Sequence, residues 1–214
     1  MGIKEIQISN KNLKIHEPDD IYDSQTGRAL TGSWVWDSAP ILSQWMASKG
    51  ILQFDFIGKT VIELGAGTGL PGLTTAILGA SHVFLTDVES LIPTLNKNVE
   101  VNGLEDRVKV SRLVWGSLDE IPSSNGFDLV VMSDVFFDSD EVSKLVKTLK
   151  KICGDNTKVW AASEVRQWTG DCVSVLEAGG FEVVELFVHR SDGLDDFAIY
   201  QLIPPPLQRN SNDF

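Results

Sequence analysis

Cysteine is nearly absent from this 214-residue chain, which contains only Cys153 and Cys172. Neither lies near a second cysteine or a histidine cluster, so the sequence predicts reduced thiols typical of a cytosolic protein and no metal site. No apolar run approaches the ~20 residues that a membrane helix needs, and the N-terminus has neither a signal-peptide core nor an Arg-rich transit pattern. We therefore expect a protein of the cytoplasm, with the nucleus left open, and no membrane partner.

Basic residues are also scarce, with 18 Lys and Arg against 30 Asp and Glu, a formal net charge of −12 and a pI near 4.6. Nucleic-acid binding depends on Lys and Arg that neutralise phosphates, so this balance disfavours a nucleic-acid partner. A surface rich in carboxylates favours a basic partner instead.

Alternating apolar segments indicate one α/β domain with a sizeable core, since 43% of the residues are hydrophobic and 22% charged. Short apolar runs predict strands at 60–64, 82–86, 108–114, 127–133, 157–163, 181–189 and 196–202. Between them the spacing predicts helices at 70–79, 90–102, 139–152 and 168–178, after an earlier helix that Asp37 or Ser38 caps and Gly50 ends. Such alternation predicts a mostly parallel, Rossmann-like sheet with helices on both faces. The last two strands are joined too closely for a crossover helix, so they should form an antiparallel hairpin.

The ends of the chain depart from this pattern. Residues 3–8 and 12–15 flank a turn-rich tripeptide and predict a small β-hairpin, so residues 1–32 are expected to form a hairpin and surface extension. The main domain then spans 33–203. Residues 204–214, which begin with three prolines, are expected to be a disordered tail.

The most informative segment is TVIELGAGTG at residues 60–69. It reads as a buried strand with an acidic residue, Glu63, near its end, followed by three glycines at alternate positions that permit a tight turn and close approach of a ligand. A second carboxylate, Asp87, ends the next predicted strand. This combination suits a nucleoside-bearing cationic cofactor, S-adenosylmethionine, with Glu63 facing its methionine ammonium and Asp87 its ribose hydroxyls.

The same glycines fit another cofactor. Gly67, Gly69 and Gly72 match the dinucleotide pattern GxGxxG, and Asp87 follows Gly67 by 20 positions, the spacing of an NAD ribose acid. Glu63 would oppose a pyrophosphate, however, and Pro71 removes an amide donor from the first turn of the following helix. A turn with a purely structural role is the third interpretation.

Five motifs in order extend this pattern: WVWDSA at 34–39, ELGAGTGL at 63–70, TD at 86–87, LVWG at 113–116 and SDVFF at 133–137. Over residues 30–200 the chain thereby resembles the seven-β-strand protein-lysine methyltransferases, which modify chaperones, AAA ATPases and translation elongation factors. The resemblance implies a protein substrate with an exposed lysine, a monomer, and S-adenosylmethionine as cofactor. It also implies a cofactor site lined by Trp36, Gly65, Ala66, Gly67, Asp87, Trp115 and Ser133.

Asp134 and Phe137 are the predicted catalytic residues. Asp134 ends the fourth predicted strand, where open α/β sheets bind their ligands, and its carboxylate can hold a lysine ammonium. Phe136 and Phe137 can form a dry wall with cation–π attraction for that ammonium. The family's acidic-x-x-aromatic motif usually ends in Tyr, so Phe137 removes any role of a phenol hydroxyl. The alternative for both phenylalanines is packing at the end of the strand, and the alternative for Asp87 is a helix N-cap.

Three functions remain open at this stage. The first is protein-lysine methylation, the second N-methylation of a small molecule, and the third a non-catalytic, cofactor-binding subunit that works through a partner. Enzymes that methylate amino groups of nucleic-acid bases carry Asn- or Asp-Pro-Pro-aromatic after the fourth strand, and residues 133–136, Ser-Asp-Val-Phe, lack both prolines. A second acidic candidate, Glu164, ends the fifth predicted strand, with a salt bridge to Arg166 as its structural alternative.

Overall fold

Seven strands form one mostly parallel sheet in the computed structural model, which describes residues 2–18, 27, 31–122, 124, 126–189 and 196–206. Strands β3 to β9 occupy the spatial order β5-β4-β3-β6-β7-β9-β8. The first five of these are parallel, whereas β9 runs antiparallel to both β7 and β8. The strands span Thr60–Leu64 (β3), His82–Asp87 (β4), Val108–Arg112 (β5), Leu129–Ser133 (β6), Lys158–Glu164 (β7), Glu182–His189 (β8) and Phe197–Ile203 (β9). The predicted fold, including the terminal antiparallel hairpin, is confirmed.

Five α-helices lie within the described residues: Ser38–Ser48 (α1), Leu70–Ile77 (α2), Ile92–Val101 (α3), Ser139–Ile152 (α4) and Thr169–Ala178 (α5). Helices α1, α2 and α3 pack in the core on one face of the sheet, and α4 and α5 in the core on the other. Central strands such as β3 are therefore covered on both sides, which explains their continuous apolar runs. No helix of the described ranges is long and apolar enough to cross a membrane.

Helix boundaries follow local signals with one exception. Asp138 caps α4 by accepting the amides of Asp140 and Glu141 at 2.8 and 3.2 Å. At the start of α1 Asp37 makes no such bond, and the Ser38 hydroxyl is used elsewhere, so neither predicted cap operates. At the other end, α1 stops at Ser48 with Lys49 as its C-cap, directly before Gly50 as predicted, and Gly50 begins a short 3-10 helix, Gly50–Leu52.

The predicted N-terminal hairpin is present, with β1 at Gly2–Ile8 paired antiparallel to β2 at Lys11–Glu17. Its inward side chains, Ile8 and Leu13 among them, belong to the same core as α1 to α3. Asn102, the C-cap residue of α3, accepts the Lys14 amide at 2.9 Å and donates to the Lys14 carbonyl at 2.8 Å. An asparagine thereby pairs with β2 as a neighbouring strand would, so the hairpin is docked on the main domain.

The predicted domain limits stay predictions. Most of the predicted surface segment before residue 31 lies outside the described residues, as does the predicted disordered tail from residue 207 on. Cys153 and Cys172 are free and buried, and burial raises the pKa of the Cys153 thiol to about 12. Both therefore pack as small apolar side chains.

Candidate functional site

A cavity of about 520 Å³ opens at the carboxyl ends of β3, β4, β5, β6 and β7. Its walls come from the residues that follow these strands and from the segment that precedes α1. The order of the sheet reverses between β3 and β6, because β3 continues to β4 on one side while β6 continues to β7 on the other. Ligands of open α/β sheets bind at this switch point, and the volume is in the range of small-molecule sites.

The turn after β3 forms the floor of one half of the cavity. Gly65 and Gly67 both adopt left-handed backbone conformations, with φ of +64° and +57°. A Cβ on Gly65 would lie 2.9 Å from the Trp115 ring, and one on Gly67 would lie 2.7 Å from the Gly32 carbonyl oxygen. Glycine is needed at both positions for conformation and for space, and the Ala66 amide fixes the turn by donating to the Thr86 carbonyl at 3.0 Å.

Asp87 lies beside this turn and is held by backbone amides. The Gly67 amide donates to one carboxylate oxygen and the Val88 amide to the other, each at 2.7 Å. Each oxygen retains acceptor capacity for a hydroxyl group. Burial raises the pKa of Asp87 to about 6, although both amides act in the opposite direction. Asp87 does not cap α3, which begins only at Ile92 after a 3-10 turn.

Glu63 is placed differently from its prediction as a cofactor ligand. It is fully buried and is not among the residues that line the cavity. One carboxylate oxygen accepts the Gly72 amide of α2 at 2.9 Å, and the other has no hydrogen-bond partner. Burial raises the pKa of Glu63 well above its usual value; the Gly72 amide opposes this shift and the Asp87 charge adds to it. Glu63 therefore ties α2 to β3 beneath the glycine turn.

This arrangement also disfavours the dinucleotide interpretation. A pyrophosphate binds the free amides at a helix N-terminus. In α2 Pro71 has no amide, and the amide of Gly72 is already bound to Glu63.

Two aromatic side chains cover the cavity near the turn. Trp115 is half-buried, and its ring centroid lies 6.1 Å from that of Phe137. Phe137 is 55% exposed, whereas Phe136 is buried and packs against Tyr200 with ring centroids 6.0 Å apart. Of the two predicted wall residues, Phe137 is therefore the one with a free ring face, and Phe136 belongs mainly to the core.

Asp134 occupies the other half of the cavity, directly after β6. Its backbone is left-handed, with φ of +56°, a conformation that non-glycine residues rarely adopt. The Ser38 hydroxyl of α1 donates to one carboxylate oxygen, and the other oxygen is buried without a hydrogen-bond partner. Burial raises the pKa of Asp134 to about 6; the Ser38 hydrogen bond, the Arg166 charge and the backbone amide of Glu164 oppose this shift, and the Glu164 charge adds to it. An unsatisfied buried carboxylate oxygen in a cavity is suited to a cationic or hydrogen-bond-donating ligand.

The predicted salt bridge between Glu164 and Arg166 is confirmed. The Arg166 guanidinium also lies 5.8 Å from the centre of the Trp36 ring and 5.5 Å from that of Trp168. Glu164 thus forms an ion pair with a neighbouring cation. On this side of the cavity, Asp134 is therefore the carboxylate with an oxygen that lacks a hydrogen-bond partner.

The structure brings nine of the ten predicted site residues to one cavity: Trp36, Gly65, Ala66, Gly67, Asp87, Trp115, Ser133, Asp134 and Phe137. Glu63 is the exception. Sequence reasoning missed Ser38, whose partner is 96 positions away, and it missed Trp168. Trp168 could have been predicted as a site residue, because it is an aromatic residue that follows shortly after the end of a predicted strand. No group of three or more potential metal-ligating side chains occurs in the part of the chain described.

Comparison with known proteins identifies a family. Residues 10–172 match the model of a family described as lysine methyltransferase. EEF1A lysine methyltransferase 3 of Xenopus tropicalis is 36% identical over 64% of this chain and 59% of its own length. Protein N-lysine methyltransferase METTL21A of Danio rerio is 36% identical over 62% of this chain and 60% of its own length. The chain thus spans about 60% of the length of these curated relatives.

Solved structures agree in fold at lower sequence identity. A SAM dependent methyltransferase from Aquifex aeolicus superposes with a TM-score of 0.58 at 20% identity, covering 73% of this chain and 89% of its own. Magnesium protoporphyrin IX methyltransferase from Synechocystis gives a TM-score of 0.57 at 15% identity, covering 78% of this chain and 81% of its own. These similarities support the Rossmann-like architecture.

Proposed function

The chain belongs to the lysine methyltransferase family, and we propose that it transfers a methyl group from S-adenosylmethionine to a lysine side chain of a protein. The observation that carries the proposal is the division of one cavity between two kinds of group. The glycine turn and Asp87 lie on one side, and Asp134, which has a carboxylate oxygen without a hydrogen-bond partner, lies on the other.

The residues of the first side suit S-adenosylmethionine. Asp87 has acceptor capacity for ribose hydroxyls, and the absence of a Cβ at Gly65 and Gly67 lets Trp115 and the Gly32 backbone pack directly against the turn. The Trp115 ring offers a face for adenine. When bound, the cofactor supplies an activated methyl group on a sulfonium, so the protein needs to align and desolvate the acceptor.

Asp134 is the residue that we propose for binding the acceptor lysine. A lysine ammonium has an ordinary pKa near ~10.4 and must lose a proton before its nitrogen can attack. The buried oxygen of Asp134 that lacks a hydrogen-bond partner accepts an N–H of the lysine, and the Ser38 hydroxyl fixes the orientation of the carboxylate. Phe137 and Trp115 exclude water, which disfavours the charged form of the lysine and lowers its pKa. In this mechanism Ser38 is a positioning residue, because it acts through Asp134.

The chemistry of the chain also supports a substrate class. Its net charge of −12 complements a lysine-bearing, basic protein surface and disfavours nucleic acid. One relative is named for EEF1A, so translation elongation factors are the first class to test, ahead of chaperones and AAA ATPases. Action as a monomer in the cytoplasm completes the proposal.

Incubation of the enzyme with radiolabelled S-adenosylmethionine and cell extract tests this function. We expect labelled protein bands, with label on lysine after hydrolysis, and less label as the salt concentration rises because exposed charges are screened. Asp134→Asn should remove the label, while Asp140→Asn, the same change at an exposed position of α4, should not. Label found only in small molecules, or on nucleic acid, would contradict the proposal.

A further inference from the structure

Four side chains form a continuous ridge along one wall of the cavity: Trp34, Trp36, Arg166 and Trp168. The Trp34 and Trp36 ring centroids are 6.4 Å apart. The Arg166 guanidinium follows at 5.8 Å from Trp36, and Trp168 at 5.5 Å from that guanidinium. We call these four residues the aromatic ridge.

The three tryptophans of the aromatic ridge are exposed, although tryptophan is highly buried on average. Trp34, Trp36 and Trp168 are 39%, 36% and 44% exposed, whereas Trp45 and Trp160 of the same chain are buried and in contact with each other. Isolated exposed apolar side chains are ordinary, but contiguous ones mark interaction sites. Trp and Arg are also the residue types that contribute most to protein–protein binding energy.

The position of Arg166 and Trp168 separates this end of the ridge from Asp87. Both residues follow β7, and two strands, β3 and β6, lie between β7 and the strand that ends in Asp87. At ~4.8 Å between neighbouring strands, β7 and β4 are roughly 14 Å apart. Asp134 follows β6, the direct neighbour of β7, so Arg166 and Trp168 lie nearer to Asp134 than to Asp87.

We propose that the aromatic ridge docks the protein that carries the acceptor lysine, by contacting apolar surface beside that lysine. This inference rests on the proposed function, because the acceptor is defined by it. The ridge continues directly into the cavity that contains Asp134. Asp37, an exposed carboxylate next to Trp36, and the net charge of −12 complement a basic surface around the lysine. The partner is thus a protein with an apolar patch in a basic surround.

Steady-state kinetics on the labelled acceptor, purified from the extract experiment, test the ridge. We expect Trp168→Ala to raise the KM for this protein by about 30-fold, equivalent to about 2 kcal/mol for a central aromatic contact. The kcat and the dissociation constant of S-adenosylmethionine should not change, since neither the transfer step nor the cofactor involves Trp168. Trp34→Ala should raise the same KM, and Trp168→Phe should keep part of the affinity.

Leu52→Ala is the matched control. Leu52 is 83% exposed, and the adjacent Gln53 carbonyl accepts the Lys158 ammonium from the opposite end of β7. This variant should leave the KM unchanged. Thermal unfolding of each variant identifies any loss of folded protein.

An unchanged KM for both tryptophan variants overturns the inference, as does a fall in kcat without a rise in KM. An equal rise in KM with Leu52→Ala overturns it too, because the effect would then belong to exposed apolar surface in general. Failure of the proposed function would be distinguishable, because it would appear earlier as an extract without any labelled protein.

Discussion

Asp87 and Asp134 occupy equivalent positions at strand ends, but their carboxylate oxygens have different hydrogen-bond partners. Each lies at the carboxyl end of a parallel strand, each lines the cavity, and burial raises the pKa of each to about 6. Asp87 receives a backbone amide on both oxygens. Asp134 receives one side-chain hydroxyl and keeps a buried oxygen without a partner.

The difference shows that charge and pKa alone do not assign a role. Asp87 is held by two backbone amides, that of Val88 next to it in the chain and that of Gly67 in the glycine turn after β3. The orientation of the Asp134 carboxylate depends on a tertiary hydrogen bond from Ser38 of α1, and the Asp134 backbone is left-handed. Strain combined with an unsatisfied oxygen is typical of groups that act on a ligand.

The largest expected effect is on turnover. Asp134→Asn keeps the shape of the side chain and removes its charge, so turnover on the protein acceptor should fall about 100-fold, comparable with the loss of one preorganised electrostatic contact. Radiolabel transfer at saturating S-adenosylmethionine measures it. A variant that retains full turnover would show that Asp134 is only a strand-end residue.

The next effect belongs to the Asp87 side of the comparison. If Trp115 stacks on adenine, Trp115→Ala should weaken binding of S-adenosylmethionine by about 30-fold, since stacking on a base contributes ~1–3 kcal/mol. Titration calorimetry measures this, and Trp34→Ala on the other wall serves as the control. A large loss of thermal stability with unchanged affinity per folded molecule would instead mean that Trp115 is a core residue.

Ser38 gives a smaller and more diagnostic effect. Ser38→Ala should lower turnover by about 10-fold, the typical cost of a hydrogen bond to a charged group, without changing the affinity for S-adenosylmethionine. Loss of this hydrogen bond also raises the pKa of Asp134 above about 6, so the acidic limb of the pH–rate profile should move to higher pH. Ser43→Ala removes another buried hydroxyl of α1, one without a partner, and should change neither quantity. An unmoved acidic limb would contradict the positioning role.

The smallest expected effect is on stability: Asp134→Asn should raise the free energy of unfolding, although it lowers turnover. Because burial raises the pKa of Asp134 from 3.8 to about 6, the native state binds this proton more tightly than the unfolded state. The stability that protonated Asp134 contributes is fully present below the pKa of Asp134 in the unfolded state, and it is lost as the pH rises through the pKa of Asp134 in the folded state. Asp134→Asn should therefore stabilise the protein by about 1 kcal/mol at pH 8, allowing for solvent screening, and by almost nothing near pH 3. Denaturant unfolding at both pH values checks the sign.

Local signals predicted the fold and most of the site. The glycine turn, the strand-end aspartates and the helix boundaries depend on neighbours in sequence, which is why residues such as Gly65 and Asp87 were found. Glu63 was predicted to face the cofactor because it lies near the end of β3, without regard to the face of the sheet toward which its side chain points. Alternation in β3 puts Val61 in the core with α2 and Ile62 in the opposite core, so the same alternation turns Glu63 toward α2.

Tertiary contacts account for the rest. The hydrogen bond between Ser38 and Asp134 needs α1 to pack against the end of β6, and the aromatic ridge needs the segment before α1 to meet the residues after β7. Neither of these two tertiary contacts can be predicted from the residues adjacent in sequence. Serine at a helix start more commonly predicts a cap, and here the hydroxyl serves a different strand.

A crossed measurement on Asp87→Asn and Asp134→Asn tests the central claim most directly. For each variant, calorimetry gives the dissociation constant of S-adenosylmethionine, and radiolabel transfer at saturating S-adenosylmethionine gives turnover. We predict that Asp87→Asn weakens binding by roughly 5- to 150-fold, the effect of about 1–3 kcal/mol, and keeps most of its turnover. Asp134→Asn should bind normally and lose turnover. The account is contradicted if both variants change the same quantity, because the two aspartates would then share one role.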